Sequence, residues 1–164
     1  MQVLLATDAN WLVDDVVAAL GGENTSFTVC SEGREVSKQV TKRTKEGGSF
    51  DVAVVDLQIG SMGGIAVTMA LRLDASAGNA PHIPILVLLD RVADVFLARR
   101  SGANGWLVKP LDPLRLRRAV RAIVAGGTYP EGLTPPAPAE PEPQAEQEAD
   151  AAAESAGSEV VPAG

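Results

Sequence analysis

The stretch that most constrains the fold is a short apolar run, residues 52–55, which ends abruptly on Asp56. A run of this length that is rich in β-branched residues is typical of a strand buried on both faces, as in a parallel sheet. A small-residue loop (Gly60, Ser61, Gly63, Gly64) follows. Asp56 is therefore predicted at the carboxyl end of a strand, the edge where open α/β sheets bind ligands. A carboxylate at that edge serves as a nucleophile, a metal ligand or a helix cap.

The same pattern repeats on both sides of this run. Predicted strands cover residues 3–6, 26–30, 52–55, 85–89 and 106–108. Helical stripes lie between and after them: Leu12, Val16 and Leu20; Val36 and Val40; Ile65, Met69 and Leu73; a short helix over 93–100; and Leu116, Val120, Ile123 and Val124. Asn10 and Asp112 are candidate helix caps. Such alternation predicts a parallel α/β sheet with helices on both faces. Five strands fit the flavodoxin-like, doubly wound order 2-1-3-4-5.

Three charged residues follow or end three different predicted strands: Asp8, Asp56 and Lys109. The order 2-1-3-4-5 has its switch point between the first and third strands, where Asp8 and Asp56 lie. Two converging carboxylates repel each other unless a cation intervenes, and oxygen ligands suit Mg²⁺. The group fits a site where an aspartate attacks phosphorus while metal and lysine screen the charge. A structural ion pair between Lys109 and one aspartate explains the spacing equally well.

Charge divides the chain into two parts. Residues 1–130 contain 14 basic and 13 acidic residues, whereas residues 131–164 contain 8 acids and no base. The segment is rich in Ala, Pro and Glu and has too few large apolar residues to offset its ordering entropy. We predict a folded domain over residues 1–127 and a disordered acidic tail over 128–164.

Cysteine usage and hydropathy bear on location. The lone Cys30 excludes an internal disulfide, fits a reducing compartment and is predicted to be a buried, inert thiol. No signal-peptide features are visible, and no apolar run approaches the ~20 residues of a membrane helix. A cytoplasmic protein without a membrane partner is expected.

Two segments carry a family resemblance. Residues 54–64, VVDLQIGSMGG, and residues 102–110, GANGWLVKP, together resemble bacterial response-regulator receiver domains, and the similarity spans about residues 1–127. The resemblance implies that Asp56 accepts a phosphoryl group from a histidine kinase or another phosphodonor. It also implies that Asp8, Asp56 and the backbone carbonyl of Gln58 bind Mg²⁺, and that Lys109 contacts the phosphoryl group.

Several positions depart from the family pattern. Thr7 stands where receivers usually carry a second acid, and Leu89-Asp90 stands where they carry Thr or Ser followed by a small residue. Leu89 cannot hydrogen-bond a phosphoryl oxygen, and Asp90 places negative charge where an anionic donor approaches. We therefore expect weak Mg²⁺ binding and a poor conformational response to phosphorylation. We also expect little movement of the aromatic Trp106, because in the family this position follows the Thr or Ser hydroxyl that Leu89 replaces.

These features support two main functions. The first is a non-enzymatic, single-domain response regulator that signals to an unidentified protein through its fourth helix, fifth strand and fifth helix. Direct DNA binding is not expected, because no DNA-binding domain follows the fifth helix. The second is a degenerate receiver that binds its partner independently of phosphorylation. A flavodoxin-like cofactor binder or a haloacid-dehalogenase-type phosphatase is disfavoured, because no phosphate loop is present and Gln58 replaces the second acid that such a phosphatase needs.

Overall fold

The computed structural model describes residues 1–132 as a parallel sheet with helices on both faces. The strands are β1 (Gln2–Ala6), β2 (Ser26–Cys30), β3 (Val52–Asp56), β4 (Ile85–Leu89), β5 (Gly105–Val108) and β6 (Tyr129–Pro130). The α-helices are α1 (Asn10–Leu20), α2 (Gly33–Lys45), α3 (Gly64–Ser76), α4 (Val95–Arg100) and α5 (Pro113–Val124). A single 3₁₀ turn, Val92–Asp94, leads into α4, so the helix predicted from residue 93 starts slightly later.

The sheet has the order β2-β1-β3-β4-β5-β6, and all its pairings are parallel. The flavodoxin-like order 2-1-3-4-5 is confirmed for the first five strands. The sixth strand was not predicted, because two residues that include a proline carry no periodic signal. It lies beyond the predicted domain limit at residue 127, so residues 128–132 form an ordered continuation of the domain. The rest of the predicted tail lies outside the described residues.

Burial on both faces explains the continuous apolar strands. Residues 52–55 and 85–89 are completely buried, and their side chains alternate between two clusters. One cluster packs under α2, α3 and α4, and the other under α1 and α5. The strand ends, where this apolar packing stops, are therefore the places where charged side chains emerge.

The predicted stripe of α3 is wrong at two of its three positions, because only Ile65 packs against the core. Met69 and Leu73 are 56% and 70% exposed, and the buried face instead carries Gly64, Val67, Thr68 and Leu71. Polar Thr68 is accommodated because its hydroxyl donates to the carbonyl of Gly64 at 2.8 Å. Apolar residues lie on several faces of α3, so the sequence is compatible with more than one buried face. Packing against β3 determines which face is buried.

The other helix predictions fare better. The stripes of α1 and α2 are buried as predicted, and of the four residues in the predicted α5 stripe only Val124 is exposed. Asp112 caps α5 by accepting from the amide of Arg115 at 2.8 Å. Asn10 is the first helical residue of α1 instead of its cap, a position taken by Ala9 without a side-chain hydrogen bond. Within residues 1–132 no helix is long and apolar enough to cross a membrane.

Candidate functional site

Asp56 is the last residue of β3 and is 2% exposed. Its Oδ1 accepts from Lys109 Nζ at 2.7 Å and from the amide of Gln58 at 3.3 Å. Its Oδ2 accepts from the hydroxyl of Thr7 at 3.0 Å. A buried carboxylate needs such partners, and here both oxygens are satisfied by residues that follow β1 and β5 and by the loop after Asp56 itself.

Lys109 follows β5 and links two carboxylates. Its Nζ lies 2.7 Å from Asp56 Oδ1 and 3.1 Å from Asp90 Oδ1, and its side chain is 12% exposed. The same ammonium lies 5.8 Å from the ring centroid of Trp11, within cation–π range. The predicted approach of Lys109 to Asp56 is therefore found in the structure. Asp90 faces this lysine, so part of its charge is neutralised before any donor arrives.

Asp8 lies at the same edge but is exposed. Its Oδ2 accepts from the amide of Gly60 at 3.3 Å, while Asp56 binds the amide of Gln58, so both carboxylates contact one short loop. Among the described residues no group of three or more Asp, Glu, His or Cys side chains forms a metal cluster. Two carboxylates and a backbone carbonyl still fit Mg²⁺, which commonly takes one or two carboxylates and fills its remaining positions with water and phosphate.

Thr7 is buried and takes part in the site directly. Its hydroxyl donates to Asp56 and accepts from the amide of Ala9 at 3.2 Å. Thr7, which we predicted to matter only because an acid is missing there, is thus a hydrogen-bond donor to Asp56. A neutral hydroxyl satisfies the carboxylate without adding negative charge for a cation to bind.

Leu89 and Trp106 belong to the apolar cluster that packs under α2, α3 and α4. Leu89 is completely buried there, so the end of β4 offers Asp56 no side-chain hydroxyl from this position. Trp106 is also buried, and its indole Nε1 donates to the backbone carbonyl of Glu131 at 2.6 Å. Sequence reasoning missed Glu131 and Trp11, because neither stands in a motif and both reach the site through contacts distant in the chain.

Arg72 on α3 supports the start of β5. Its guanidinium donates to the carbonyls of Gly102 and Ile83 and to Asn104 Oδ1, at 2.7, 2.8 and 2.5 Å. Partial burial lowers the pKa of Arg72 from its ordinary value. These bonds hold the loop between α4 and β5, and β5 in turn carries Lys109 to the edge of the sheet.

Cys30 lies at the end of β2 and is buried, as predicted. Burial, with a smaller contribution from the charge of Glu35, raises the pKa of its thiol to about 11. A thiol that stays protonated at neutral pH is a poor nucleophile and metal ligand. Cys30 is therefore a core residue.

The face formed by α4, β5 and α5 exposes both apolar and basic groups. Phe96 and Leu97 are exposed on α4, as are Arg99 and Arg100. On α5, Arg118 and Arg121 are exposed. Arg117 is also exposed, but its Nε donates to the carbonyl of Ala19 in α1, and Arg115 is half-buried in an ion pair with Glu131. Several of the arginines expected on this face are thus open to solvent.

Comparison with known proteins identifies the family. The profile described as "Response regulator receiver domain" matches residues 3–121. The nitrate/nitrite response regulator protein NarP of Escherichia coli is 40% identical over 77 residues, which cover 47% of this chain and 34% of that protein. This chain spans about a third of the length of NarP, and about half the length of several other curated relatives.

Solved structures agree with this fold. A putative response regulator from Chloroflexus aurantiacus superposes with a TM-score of 0.66 at 21% identity, over 76% of this chain and 97% of that one. The receiver domain of sensor histidine kinase PA1611 from Pseudomonas aeruginosa, solved with a magnesium ion in its active-site cleft, gives 0.60 at 18% identity, over 76% and 97%. The profile match covers most of the described domain, and the observed sheet has the order of these folds. The chain therefore belongs to the response-regulator receiver-domain family.

Proposed function

We propose that this chain is a response-regulator receiver whose Asp56 accepts a phosphoryl group from a histidine kinase or another phosphodonor. The observation that carries the proposal is the placement of Lys109 Nζ 2.7 Å from Asp56 Oδ1 at the carboxyl edge of the sheet. In this reaction an Asp56 oxygen attacks phosphorus and forms an acyl phosphate. The bond from phosphorus to the donor breaks, and its electron pair leaves with the donor. A histidine nitrogen then takes a proton from water, whereas acetyl phosphate releases acetate, which needs no proton.

The residues of the chain have distinct parts in this proposal. Lys109 places a positive charge beside the oxygens that become more negative during transfer. Asp8, Asp56 and the carbonyl of Gln58 would hold Mg²⁺, which when bound neutralises phosphoryl charge. Thr7 holds Asp56 Oδ2, and this bond must break or shift when that oxygen reacts. We expect weak metal binding, because Thr7 stands where receivers usually carry a second acid, which leaves Asp8 and Asp56 as the two carboxylate ligands.

The direct test is phosphorylation in vitro. The chain is incubated with acetyl phosphate and millimolar Mg²⁺, and its mass is measured before and after hydroxylamine, which cleaves acyl phosphates. One phosphoryl group should be added to the unaltered chain and none to Asp56→Asn. Addition of the same group to Asp56→Asn would place the chemistry elsewhere and refute the assignment.

The second candidate is a degenerate receiver that binds its partner without phosphorylation. Three features favour this candidate: Asp90 forms an ion pair with Lys109, Thr7 already donates a hydrogen bond to Asp56 Oδ2, and the buried Leu89 offers no hydroxyl. This candidate predicts no phosphoryl addition at any Mg²⁺ concentration and unchanged partner binding by Asp56→Asn. For both candidate functions we propose that the partner binds the face formed by α4, β5 and α5. The cytoplasmic location and the absence of direct DNA binding stay predictions.

A beryllofluoride titration with Mg²⁺, followed by Trp106 fluorescence, separates weak switching from ordinary switching. The unaltered chain should respond little below millimolar metal. The double variant Leu89→Thr with Asp90→Ala should recover part of the response, because it supplies a hydroxyl and removes a charge. Saturation of the unaltered chain at micromolar metal would contradict this expectation.

A further inference from the structure

The edge of β5 is covered by the chain's own residues 129–131. Tyr129 pairs with Gly105 and Pro130 with Trp106, and the amide of Tyr129 donates to the carbonyl of Asn104 at 3.0 Å. A Cβ on Gly105 would lie 3.1 Å from Tyr129 Cβ, so glycine allows this close approach. Pro130 has no amide hydrogen, which suits a strand that ends a sheet.

Glu131 makes the contacts that hold this segment. Its Oε2 accepts from the amide of Val108 at 2.8 Å, and its Oε1 accepts from Arg115 Nε at 2.9 Å. Its backbone carbonyl accepts from Trp106 Nε1 at 2.6 Å. The backbone amide, the guanidinium and the indole thus converge on one residue, and all three belong to β5 and α5.

The amide of Val108, the Arg115 guanidinium and the Trp106 indole form a site that suits an extended peptide with an acidic side chain. An edge strand offers unpaired backbone groups that an extended peptide can satisfy by adding a strand. Arg115 supplies two donors in a fixed arrangement that matches a carboxylate, and the indole adds one donor for a carbonyl. The resident segment shows the matching chemistry: a tyrosine over Gly105 and, two residues later, a glutamate between Val108 and Arg115.

We propose that the β5 edge is a peptide-binding site for an extended segment with a carboxylate at the position of Glu131, and that residues 129–131 occupy it in cis. A partner that binds here must displace this segment. The resident strand has only two residues, and the Arg115–Glu131 pair is partly open to solvent, so the segment can be displaced without unfolding the sheet. Because the segment also holds the Trp106 indole, occupancy of the site and the position of Trp106 are coupled.

A segment attached to the site binds it at an effective concentration in the millimolar range, so a free peptide competes poorly with it. Removing the Glu131 carboxylate should lower that competition. The test uses the full chain without any phosphodonor, and its probe is a fluorescently labelled peptide with the sequence of residues 127–132, GTYPEG. The variants are Glu131→Ala, the milder Glu131→Gln, and Glu23→Ala, which removes an exposed acid at the opposite edge of the sheet.

Glu131→Ala should bind the peptide at least tenfold more tightly than the unaltered chain, with Glu131→Gln between them and Glu23→Ala unchanged. Adding Arg115→Ala to Glu131→Ala should abolish this gain, and a peptide carrying Gln in place of its glutamate should bind at least tenfold more weakly. The Trp106 indole N–H resonance should shift in Glu131→Ala and return towards its original position when the peptide is added.

Two results would overturn the proposal. One is equal peptide binding by the unaltered chain and both Glu131 variants while all of them remain folded by circular dichroism. The other is a Trp106 resonance that depends on chain concentration together with a dimer in light scattering, which would mean that the segment exchanges between copies. Since every measurement is made on unphosphorylated chain, a negative result here concerns the peptide site alone and not phosphorylation of Asp56.

Discussion

The charge of Asp90 should slow phosphorylation of Asp56, and Asp90→Asn tests this most cleanly. Lys109 Nζ lies 2.7 Å from one carboxylate and 3.1 Å from the other, so the two carboxylate oxygens are separated by at most the sum of these distances, 5.8 Å. At that separation two unit charges interact by about 0.7 kcal/mol in bulk water and about 3 kcal/mol at an effective dielectric constant near 20. The Asp90 side chain is 36% exposed, so screening by solvent favours the lower part of this range.

Asp90→Asn keeps the shape of the side chain and removes its charge. The initial rate of phosphorylation by acetyl phosphate, followed by mass spectrometry, should rise about 3- to 10-fold, because roughly 1.4 kcal/mol corresponds to a factor of ten in rate. The matched control is Glu23→Gln, which changes the net charge equally at the far edge of the sheet and should leave the rate unchanged. Equal rates for the two variants would show that Asp90 does not act on the incoming phosphoryl group.

Three further predictions concern stability and are measured by urea unfolding. Gly64→Ala should lower the free energy of unfolding by several kcal/mol, because its Cβ would lie 2.3 Å from the carbonyl oxygen of Asp56. Gly63→Ala should lower it little, because the nearest atom to its Cβ would be 3.6 Å away. Similar losses for the two variants would contradict the close contact at Gly64. Thr7→Val should cost about 1.5–3 kcal/mol, because Asp56 loses a buried hydrogen bond to its charged group, and an unchanged midpoint would count against that bond. For Cys30 the folded pKa is about 11 and the ordinary value 9.0, so the folded state binds more protons between these values. Stability should fall by at most about 3 kcal/mol as pH rises through that window, and Cys30→Ala should lack this part of the fall.

The short-range pattern of the chain was sufficient for the architecture. Buried parallel strands require continuous apolar runs, and helices on both faces require apolar stripes, so the order of elements follows from the hydrophobic pattern alone. The position of Asp56 at the end of β3, and its meeting with Lys109, follow from the same logic, because the carboxyl ends of parallel strands share one edge. The pattern failed on α3, where apolar residues surround the helix and only packing against β3 decides which of them are buried.

The partners of each charged group were decided by tertiary structure. Thr7 was predicted to weaken the site by the absence of an acid, yet its hydroxyl satisfies Asp56 across two neighbouring strands. Asp90 was predicted to repel a donor, yet it shares Lys109 with Asp56. Such contacts join residues far apart in the chain and depend on strand register and side-chain rotamers, which no local spacing encodes.

The last described residues show most clearly which features follow from the sequence pattern and which depend on tertiary contacts. Composition marks a change near residue 131, where acids replace the balanced charge of the preceding chain. A two-residue strand has no detectable periodicity, so its existence depends on the open edge of β5, the space above Gly105 and the donors that surround Glu131. The sequence by itself thus determined the first five strands, the positions of the helices and the edge that carries Asp56. The folded structure alone decided how Asp56 is held and what covers β5, because both depend on contacts between distant segments.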